Sequence, residues 1–410
     1  MEKMKVQLIK KIDNLKNEII EFAQAIVKAP SVNPYPPQES YKINEPIEKE
    51  VAELIYEKLK EFGLKPKFVS ALSNRPNVIC SLKNKGKPVL IFNGHMDTVP
   101  VGDENKWKYP PFSGRIVSGK LYGRGSLDMK SSLAAMVFAM RVLSESELEG
   151  NLIFTAVVDE EPGACSKIGT KYLLDLGLNG DACIVGEAGT KKICIGCKGG
   201  YRLKLISKGE ALSTGSRKWE EKKKGINAVT KMAKVLLALE KLRLKYKPIK
   251  LFKGRKPVIT PGTLIEGGTG INIVPDYCEA TIDIRLMPNQ TKKEVRERIV
   301  KCIEDLRKKD PQINVEIKEL MYVPSVYISK EERIVQILRR NASLILKRKP
   351  EIGVTGSWCD SHFFIRKGIP TISGFGPDGE NYHGVNEFVY AKSIVEVCKI
   401  YALTAFDFLI

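Results

Sequence analysis

Histidines and carboxylates that could carry chemistry recur in this 410-residue sequence, just after short apolar runs or in glycine-rich turns. They are His95, Asp97, Asp128, Glu160, Glu161, Glu187 and His383. Imidazole nitrogens and carboxylate oxygens together suit a divalent metal ion of borderline softness, most plausibly zinc. Because the set has too many carboxylates for a single ion, we expect two ions that share one carboxylate.

The segments around these residues alternate between strand-like and helix-like patterns. We expect strands at Val78–Ser81, Val89–Phe92, Leu152–Val158 and Ala182–Val185, and helices at 5–27, 45–62 and Ser132–Leu143. Strand, helix and strand in this order predict an α/β sheet. Ligands bind such sheets in the crevice beyond the carboxyl ends of the strands, which is where the chemical residues fall.

The middle of the chain has a different order of elements. Strand-like alternation at Tyr201–Ser207 and Cys278–Arg285 flanks a strong helical pattern at Gly225–Leu242. Thr291 then begins a further helix, with Glu294 placed for a capping box. This order predicts a small α+β sandwich. We therefore expect one domain, residues 1–198 and 321–410, interrupted by an inserted domain at residues 199–320.

Composition narrows the functional class. The 67 Lys and Arg against 48 Asp and Glu give a net charge of +19, which favours nucleic acid, an acidic membrane or small carboxylates as partners. No stretch approaches the roughly 20 apolar residues of a membrane span. The nine cysteines lack the spacing of a disulfide framework, and the Cys194–Cys197 pair is interpreted as structural. We expect a cytoplasmic protein.

Five motifs in combination resemble the di-zinc aminoacylase and carboxypeptidase family, which includes acetylornithine deacetylase and succinyl-diaminopimelate desuccinylase. They are GHMDTVP, GRGSLDMK, DEEPG, GEAGT and NYHGVNEF. The resemblance covers nearly the whole chain. It implies a zinc-exopeptidase-like catalytic domain, with a mixed, mostly parallel sheet flanked by helices. It also implies that the inserted α+β domain is a lid and the interface of a homodimer.

The resemblance implies a role for each chemical residue. The ligands of two zinc (or cobalt) ions would be His95 and Glu187 on one ion, Glu161 and His383 on the other, and Asp128 on both. Glu160 would be the general base, and Asp97 would hold the His95 imidazole in its ligating tautomer. The Asp128–Met129 peptide bond would be cis.

The inserted domain contains one match to the family and one departure from it. In the segment GGTGINIVPDYCEATIDIR, Asn272 and Arg285 match positions that reach the substrate, and Arg285 could clamp a carboxylate as a fork. The family's oxyanion-stabilising histidine is replaced here by Ser213. Loss of one oxyanion donor costs about a hundred- to a thousandfold in rate.

Two classes of function follow from these observations. The first is a metal-dependent hydrolase that cleaves an amide bond in a small carboxylate-bearing N-acyl amino acid or dipeptide. The alternative is a catalytically weakened or non-catalytic homologue that binds metal and acts as a binding protein. The basic run Lys241–Lys256 is interpreted as a solvated edge in preference to a nucleic-acid site. His362 is expected to have a packing or surface role.

Overall fold

Two compact units make up the chain. The computed structural model describes residues 2–34, 42–82, 86–161 and 166–410, so Pro162 and Gly163 of the DEEPG motif lie outside the described residues. The larger unit contains the residues up to Cys197 and those from Tyr327 onward, and the smaller unit is Lys198–Val326.

Helices and strands alternate along most of the chain. The helices are α1 (Glu2–Asn14), α2 (Lys16–Lys28), α3 (Lys49–Glu61), α4 (Ser131–Leu143), α5 (Thr170–Asp175), α6 (Arg217–Glu220), α7 (Ala228–Lys241), α8 (Lys292–Lys309), α9 (Arg333–Leu346), α10 (Ser361–Arg366) and α11 (Ala391–Leu409). The strands are β1 (Lys67–Leu72), β2 (Arg75–Ser81), β3 (Val89–His95), β4 (Arg115–Val117), β5 (Lys120–Tyr122), β6 (Asn151–Val157), β7 (Ala182–Val185), β8 (Lys192–Cys197), β9 (Gly199–Lys208), β10 (Leu212–Ser213), β11 (Val258–Gly267), β12 (Ile273–Val274), β13 (Tyr277–Leu286), β14 (Asn314–Val323), β15 (Val326–Tyr327), β16 (Glu351–Thr355), β17 (Thr371–Ile372), β18 (Gly379–Glu380) and β19 (Phe388–Tyr390).

The largest sheet of the larger unit has the strand order β1-β2-β6-β3-β7-β17. The β6–β3, β3–β7 and β7–β17 pairs are parallel, and the β1–β2 and β2–β6 pairs are antiparallel. Helices cover both faces of this sheet, because successive side chains of β3 contact helices on opposite sides. The Phe92 ring meets Tyr401 of α11 at 5.4 Å between centroids, whereas Ile91 clusters with Leu174 of α5 and Phe364 of α10. The mixed, mostly parallel sheet expected from the sequence is confirmed.

The smaller unit is a four-stranded antiparallel sheet, β11-β13-β9-β14, with α7 and α8 packed against it. Helix α8 contributes Val295, Ile299 and Ile303 to the core. Its capping box forms between Thr291 and Glu294, as expected. Strand β14 stays paired with β9 as far as Val323, so the unit extends past residue 320, the boundary expected from the sequence.

Element boundaries differ from expectation mainly at the N-terminus. The helix expected at 5–27 is divided at Leu15, whose φ of −90° and ψ of 4° interrupt the helical backbone between α1 and α2. The second expected helix begins only at Lys49. The Asp128–Met129 peptide is cis, as the family resemblance implied. Within the described part of the chain, no helix combines the length and apolar character needed to cross a bilayer.

Candidate metal centre

Three neighbouring parallel strands carry expected site residues to the same edge of the largest sheet. Strand β3 lies between β6 and β7, and its last residue, His95, pairs with Val157 at the end of β6. Glu160 and Glu161 come soon after Val157, and Glu187 follows β7. Because parallel strands end at one edge, residues distant in the sequence converge on this side of the sheet.

Asp128 lies between the two histidines. It belongs to the buried turn Ser126–Lys130 that precedes α4. Its Oδ1 is 3.1 Å from the Nε2 of His95, and its Oδ2 is 2.7 Å from the Nε2 of His383. The same nitrogen of His383 is 2.7 Å from Oε1 of Glu161, and the Nε2 of His95 is 3.9 Å from Oε1 of Glu187. Each carboxylate oxygen of Asp128 thus faces a different histidine.

Among the described residues, three sets of potential metal ligands form here, and in each set one donor atom per residue lies within 4.8 Å of the others. The first donor group is His95, Asp128 and Glu187. The second donor group is Asp128, Glu161 and His383. Glu160 belongs to neither of these two groups but forms the third set with His95 and Glu161. Asp128 is the residue that the two donor groups share.

The electrostatics of this cluster suit bound cations. Burial, together with the neighbouring carboxylates, raises the pKa of Glu160 and Glu187 well above the ordinary value, and that of Glu161 to about 7. Although burial opposes it, hydrogen bonding to Asp128 and Glu161 raises the pKa of His383 to about 10. So many buried carboxylates are costly without compensating positive charge. Mixed imidazole and carboxylate donors are the set that zinc accepts, and the residues therefore fit the expected ions.

The carboxylate of Asp97 has a different partner from the one expected. The Nδ1 of His95 is 2.9 Å from the backbone carbonyl oxygen of Asp97, while the nearest carboxylate oxygen is 3.7 Å away. A proton on Nδ1 donated to this carbonyl leaves Nε2 free to bind a metal. The Asp97 carboxylate instead accepts hydrogen bonds from the backbone N–H groups of Glu160, at 3.1 Å, and Glu161, at 2.7 Å.

Several buried polar residues that support the cluster were not identified from the sequence. Glu387 forms an ion pair with Arg124 and accepts hydrogen bonds from the backbone N–H groups of Leu127, at 2.8 Å, and Asp128, at 3.1 Å. Arg124 and Glu387 belong to GRGSLDMK and NYHGVNEF, two of the motifs that carry the resemblance. Each is a charged residue four positions from an expected ligand, and this spacing could have identified them. Asn33, Glu48 and Arg75 form a second buried network.

In the smaller unit, Ser213 and Asn272 lie on neighbouring segments. Ser213 pairs with Ile273 across β10 and β12, and the N–H of Thr214 donates to the carbonyl oxygen of Asn272 at 3.0 Å. The side chain of Ser213 is exposed. Arg285 lies on β13, where its Nε donates to Oδ1 of Asp283 at 2.6 Å.

His362 is buried in α10, where its Nδ1 is 2.9 Å from the carbonyl oxygen of Cys359. Burial lowers its pKa to about 4, which keeps the ring neutral. Of the packing or surface role expected for this histidine, burial and this contact show the packing one.

Comparison with known proteins identifies the family. The model of peptidase family M20/M25/M40 matches residues 91–407. An N-formyl-4-amino-5-aminomethyl-2-methylpyrimidine deformylase of Bacillus subtilis is 29% identical, over 98% of this chain and 96% of that protein. A succinyl-diaminopimelate desuccinylase of Pelagibacter ubique is also 29% identical, over 93% of this chain and 97% of that protein.

Solved structures show the same fold at lower identity. An M20 family metallo-carboxypeptidase from Sulfolobus solfataricus has a TM-score of 0.74 at 20% identity, covering 96% of this chain and 99% of that one. Human carnosine dipeptidase 1 has a TM-score of 0.77 at 17% identity, covering 99% of both chains. The expected fold class is thereby confirmed.

Proposed function

Because this chain belongs to peptidase family M20/M25/M40, we propose that it hydrolyses the amide bond of a small carboxylate-bearing N-acyl amino acid or dipeptide, with two bound divalent ions. The observation that carries the proposal is that two donor groups share Asp128. The first donor group would hold one ion and the second donor group the other. Zinc is the ion that this mixture of nitrogen and oxygen donors favours, and cobalt is a possible substitute.

The chemistry of the site divides between the ions and Glu160. Divalent ions in such a centre act as Lewis acids on the carbonyl and make water more acidic. Glu160 lies beside both donor groups and is 5% exposed. Its carboxylate would take a proton from the attacking water and return it to the leaving amine, first as base and then as acid. Burial raises the pKa of Glu160, which suits a group that must hold the proton between these steps.

Substrate binding is assigned to the smaller unit. Arg285 offers a planar guanidinium that can bind a carboxylate through two parallel hydrogen bonds. Asn272 is an exposed amide next to Ser213. The names of the relatives support removal of an acyl group from an amine, because one is a deformylase and another a desuccinylase. Acetyl, succinyl, formyl and aminoacyl amides are therefore the substrates to screen.

The roles of the two units are part of the proposal. The larger unit would be the catalytic domain, and the smaller unit would be a lid that also forms a homodimer. Strand β11 is at an edge of its sheet, and exposed apolar side chains lie on it and on the segment that follows: Leu264, Ile265 and Ile271. An unpaired edge with exposed apolar residues is a common site of association. Light scattering during size-exclusion chromatography tests for the dimer, and cytoplasmic location stays a prediction.

The test separates metal binding from catalysis. Metal-free protein is reconstituted with zinc or cobalt and screened against N-acyl amino acids and dipeptides, in parallel with Glu160→Gln and Glu187→Gln. We expect Glu160→Gln to retain two metal ions and lose about 10²- to 10⁴-fold in kcat, as for removal of a general base. Glu187→Gln should weaken metal binding itself. Absence of metal-dependent activity that distinguishes wild type from Glu160→Gln would overturn the proposed hydrolase.

Ser213 favours a second candidate, a metal-binding homologue with weakened or no turnover. A serine hydroxyl at this position offers a shorter and neutral donor where the family resemblance implies a histidine. Wild-type protein that binds two ions and turns over no substrate in the screen would support this candidate. Because this chain has both donor groups and Glu160, the hydrolase is favoured over this second candidate.

A further inference from the structure

A chain of fully buried polar contacts begins at the backbone of the Glu160–Glu161 pair. The two carboxylate oxygens of Asp97 each accept one of the two backbone N–H groups of this pair, at 3.1 Å and 2.7 Å. Asp97 itself has 0% exposure. The orientation of the Asp97 carboxylate therefore determines where the backbone that carries the proposed base and a proposed ligand can lie.

Asn33 holds the Asp97 carboxylate from the other side. Its Nδ2 donates to Oδ2 of Asp97 at 2.8 Å and also to the backbone carbonyl oxygen of Glu161. Its Oδ1 accepts from Nη2 of Arg75 at 3.1 Å. A single amide thus contacts both the carboxylate that holds the pair and the pair itself.

Arg75 and Glu48 extend the network into the interior. Both side chains have 0% exposure and form an ion pair, with Nε of Arg75 donating to Oε2 of Glu48 at 2.8 Å. Glu48 also accepts the backbone N–H of Asp159 at 3.3 Å. Asp159 precedes the pair and has a φ of +66°, a left-handed conformation that a non-glycine residue adopts when its surroundings hold it there.

The adjacent Glu160 and Glu161 side chains have different proposed roles. Oε1 of Glu161 lies 2.7 Å from Nε2 of His383, whereas a carboxylate oxygen of Glu160 lies within 4.8 Å of donor atoms of His95 and Glu161. A small rotation of this backbone would move one carboxylate out of the second donor group. The first donor group contains neither member of the pair, and its His95 contacts the backbone carbonyl oxygen of Asp97, not the carboxylate that Asn33 holds.

We propose that Asn33, Glu48 and Arg75 are positioning residues that act through Asp97 to hold the Glu160–Glu161 backbone, and thereby support the second donor group in preference to the first. The inference rests on the proposed two-metal site for its consequence in metal binding. The hydrogen bonding that it invokes can be tested without any metal.

The experiment combines metal titration with hydrogen exchange. Metal-free wild type, Asn33→Ala and Arg75→Lys are titrated with zinc chloride by calorimetry. The exchange of the Glu160 and Glu161 amides is followed by mass spectrometry of short peptides. Asn341→Ala is the matched control, because Asn341 is 1% exposed and its Nδ2 binds Asp407, at 3.0 Å, in the same unit. The Asn341→Ala variant shows how much the loss of a buried side-chain amide changes the stability of this unit when the amide lies outside the network.

In Asn33→Ala we expect one of the two zinc steps to weaken about 10- to 100-fold and the other to change little. We expect the two amides to exchange at least about tenfold faster than in wild type and in the control. Equal weakening of both steps, or unchanged exchange of these amides, would overturn the proposal. If Asn33→Ala does not fold, the same comparison is made in Arg75→Lys, which keeps the charge and loses the fork. Wild type that binds no zinc contradicts the proposed function, and the exchange data still decide the positioning role.

Discussion

Glu387 and Arg124 form a buried ion pair although they are 263 positions apart in the sequence. Besides binding Arg124, the Glu387 carboxylate accepts hydrogen bonds from the backbone N–H groups of Leu127 and of the proposed bridging residue, Asp128. Arg124 donates through Nη2 to the carbonyl oxygen of His383 at 3.3 Å. One pair therefore ties together two segments that supply proposed metal ligands.

Removing the charge of Glu387 should affect both stability and metal binding. Glu387→Gln leaves the Arg124 guanidinium buried without its counter-charge, which costs about 3–5 kcal/mol of unfolding free energy. Urea denaturation measures this cost. Because Asp128 belongs to both donor groups, both zinc steps should weaken, unlike the single step expected for Asn33→Ala.

An exposed ion pair provides the control for Glu387→Gln. Glu145 pairs with Arg141 on the surface, and their side chains are 41% and 36% exposed. Glu145→Gln should cost less than about 1 kcal/mol and leave zinc binding unchanged. A Glu387→Gln protein as stable as this control would contradict the importance of the buried pair.

Restoring a histidine at position 213 tests what the departure from the family costs. We expect Ser213→His to raise the rate of the proposed hydrolysis about a hundredfold or more, because one oxyanion donor typically contributes that amount. Steady-state kinetics on the best substrate of the screen gives the comparison. Ala211→His, at another exposed position of the same segment, is the control for adding an imidazole nearby. Equal rates in wild type and Ser213→His would show that Ser213 is not the weak point.

Acid should weaken the smaller unit through Asp310. Lys231 binds both oxygens of this carboxylate, at 2.8 Å and 2.9 Å, and Lys234 binds one at 2.6 Å. These hydrogen bonds lower the pKa of Asp310 to about 2. The folded value lies below the unfolded value of about 4, so the contribution to stability is complete above pH 4 and is lost as pH falls toward 2.

The comparison for Asp310 uses unfolding free energies of wild type and Asp310→Asn between pH 7 and pH 3. We expect wild type to be more stable by about 1 kcal/mol or less near neutral pH, since the pair is partly exposed, and the difference to shrink below pH 4. Asp305→Asn removes a more exposed partner of Lys308 and should show little difference at any pH. A gap between wild type and Asp310→Asn that stays constant down to pH 3 would rule out this linkage.

Local patterns in the sequence determined much of the fold and the members of the proposed metal centre. Short β-rich apolar runs predicted the core strands β6 and β7 to within one residue, and the Thr291–Glu294 spacing predicted the capping box. Parallel strands end at one edge, so residues at their carboxyl ends converge whatever their separation in the chain. Strand ends thus predicted that these residues converge, whereas the assignment of His95, Asp128 and Glu187 to one ion came from the family resemblance.

Contacts between distant buried groups were decided only by the tertiary structure. The family resemblance implied that Asp97 holds the His95 imidazole. The backbone carbonyl of Asp97 makes that contact, while its carboxylate accepts hydrogen bonds from the Glu160 and Glu161 amides. The pairings of Glu387 with Arg124 and of Arg75 with Glu48 have no periodic signal, because a charged residue looks the same in sequence whether it is buried or exposed. Burial decides whether such a residue needs a partner, because a polar group removed from water must form its hydrogen bonds or ion pairs within the fold.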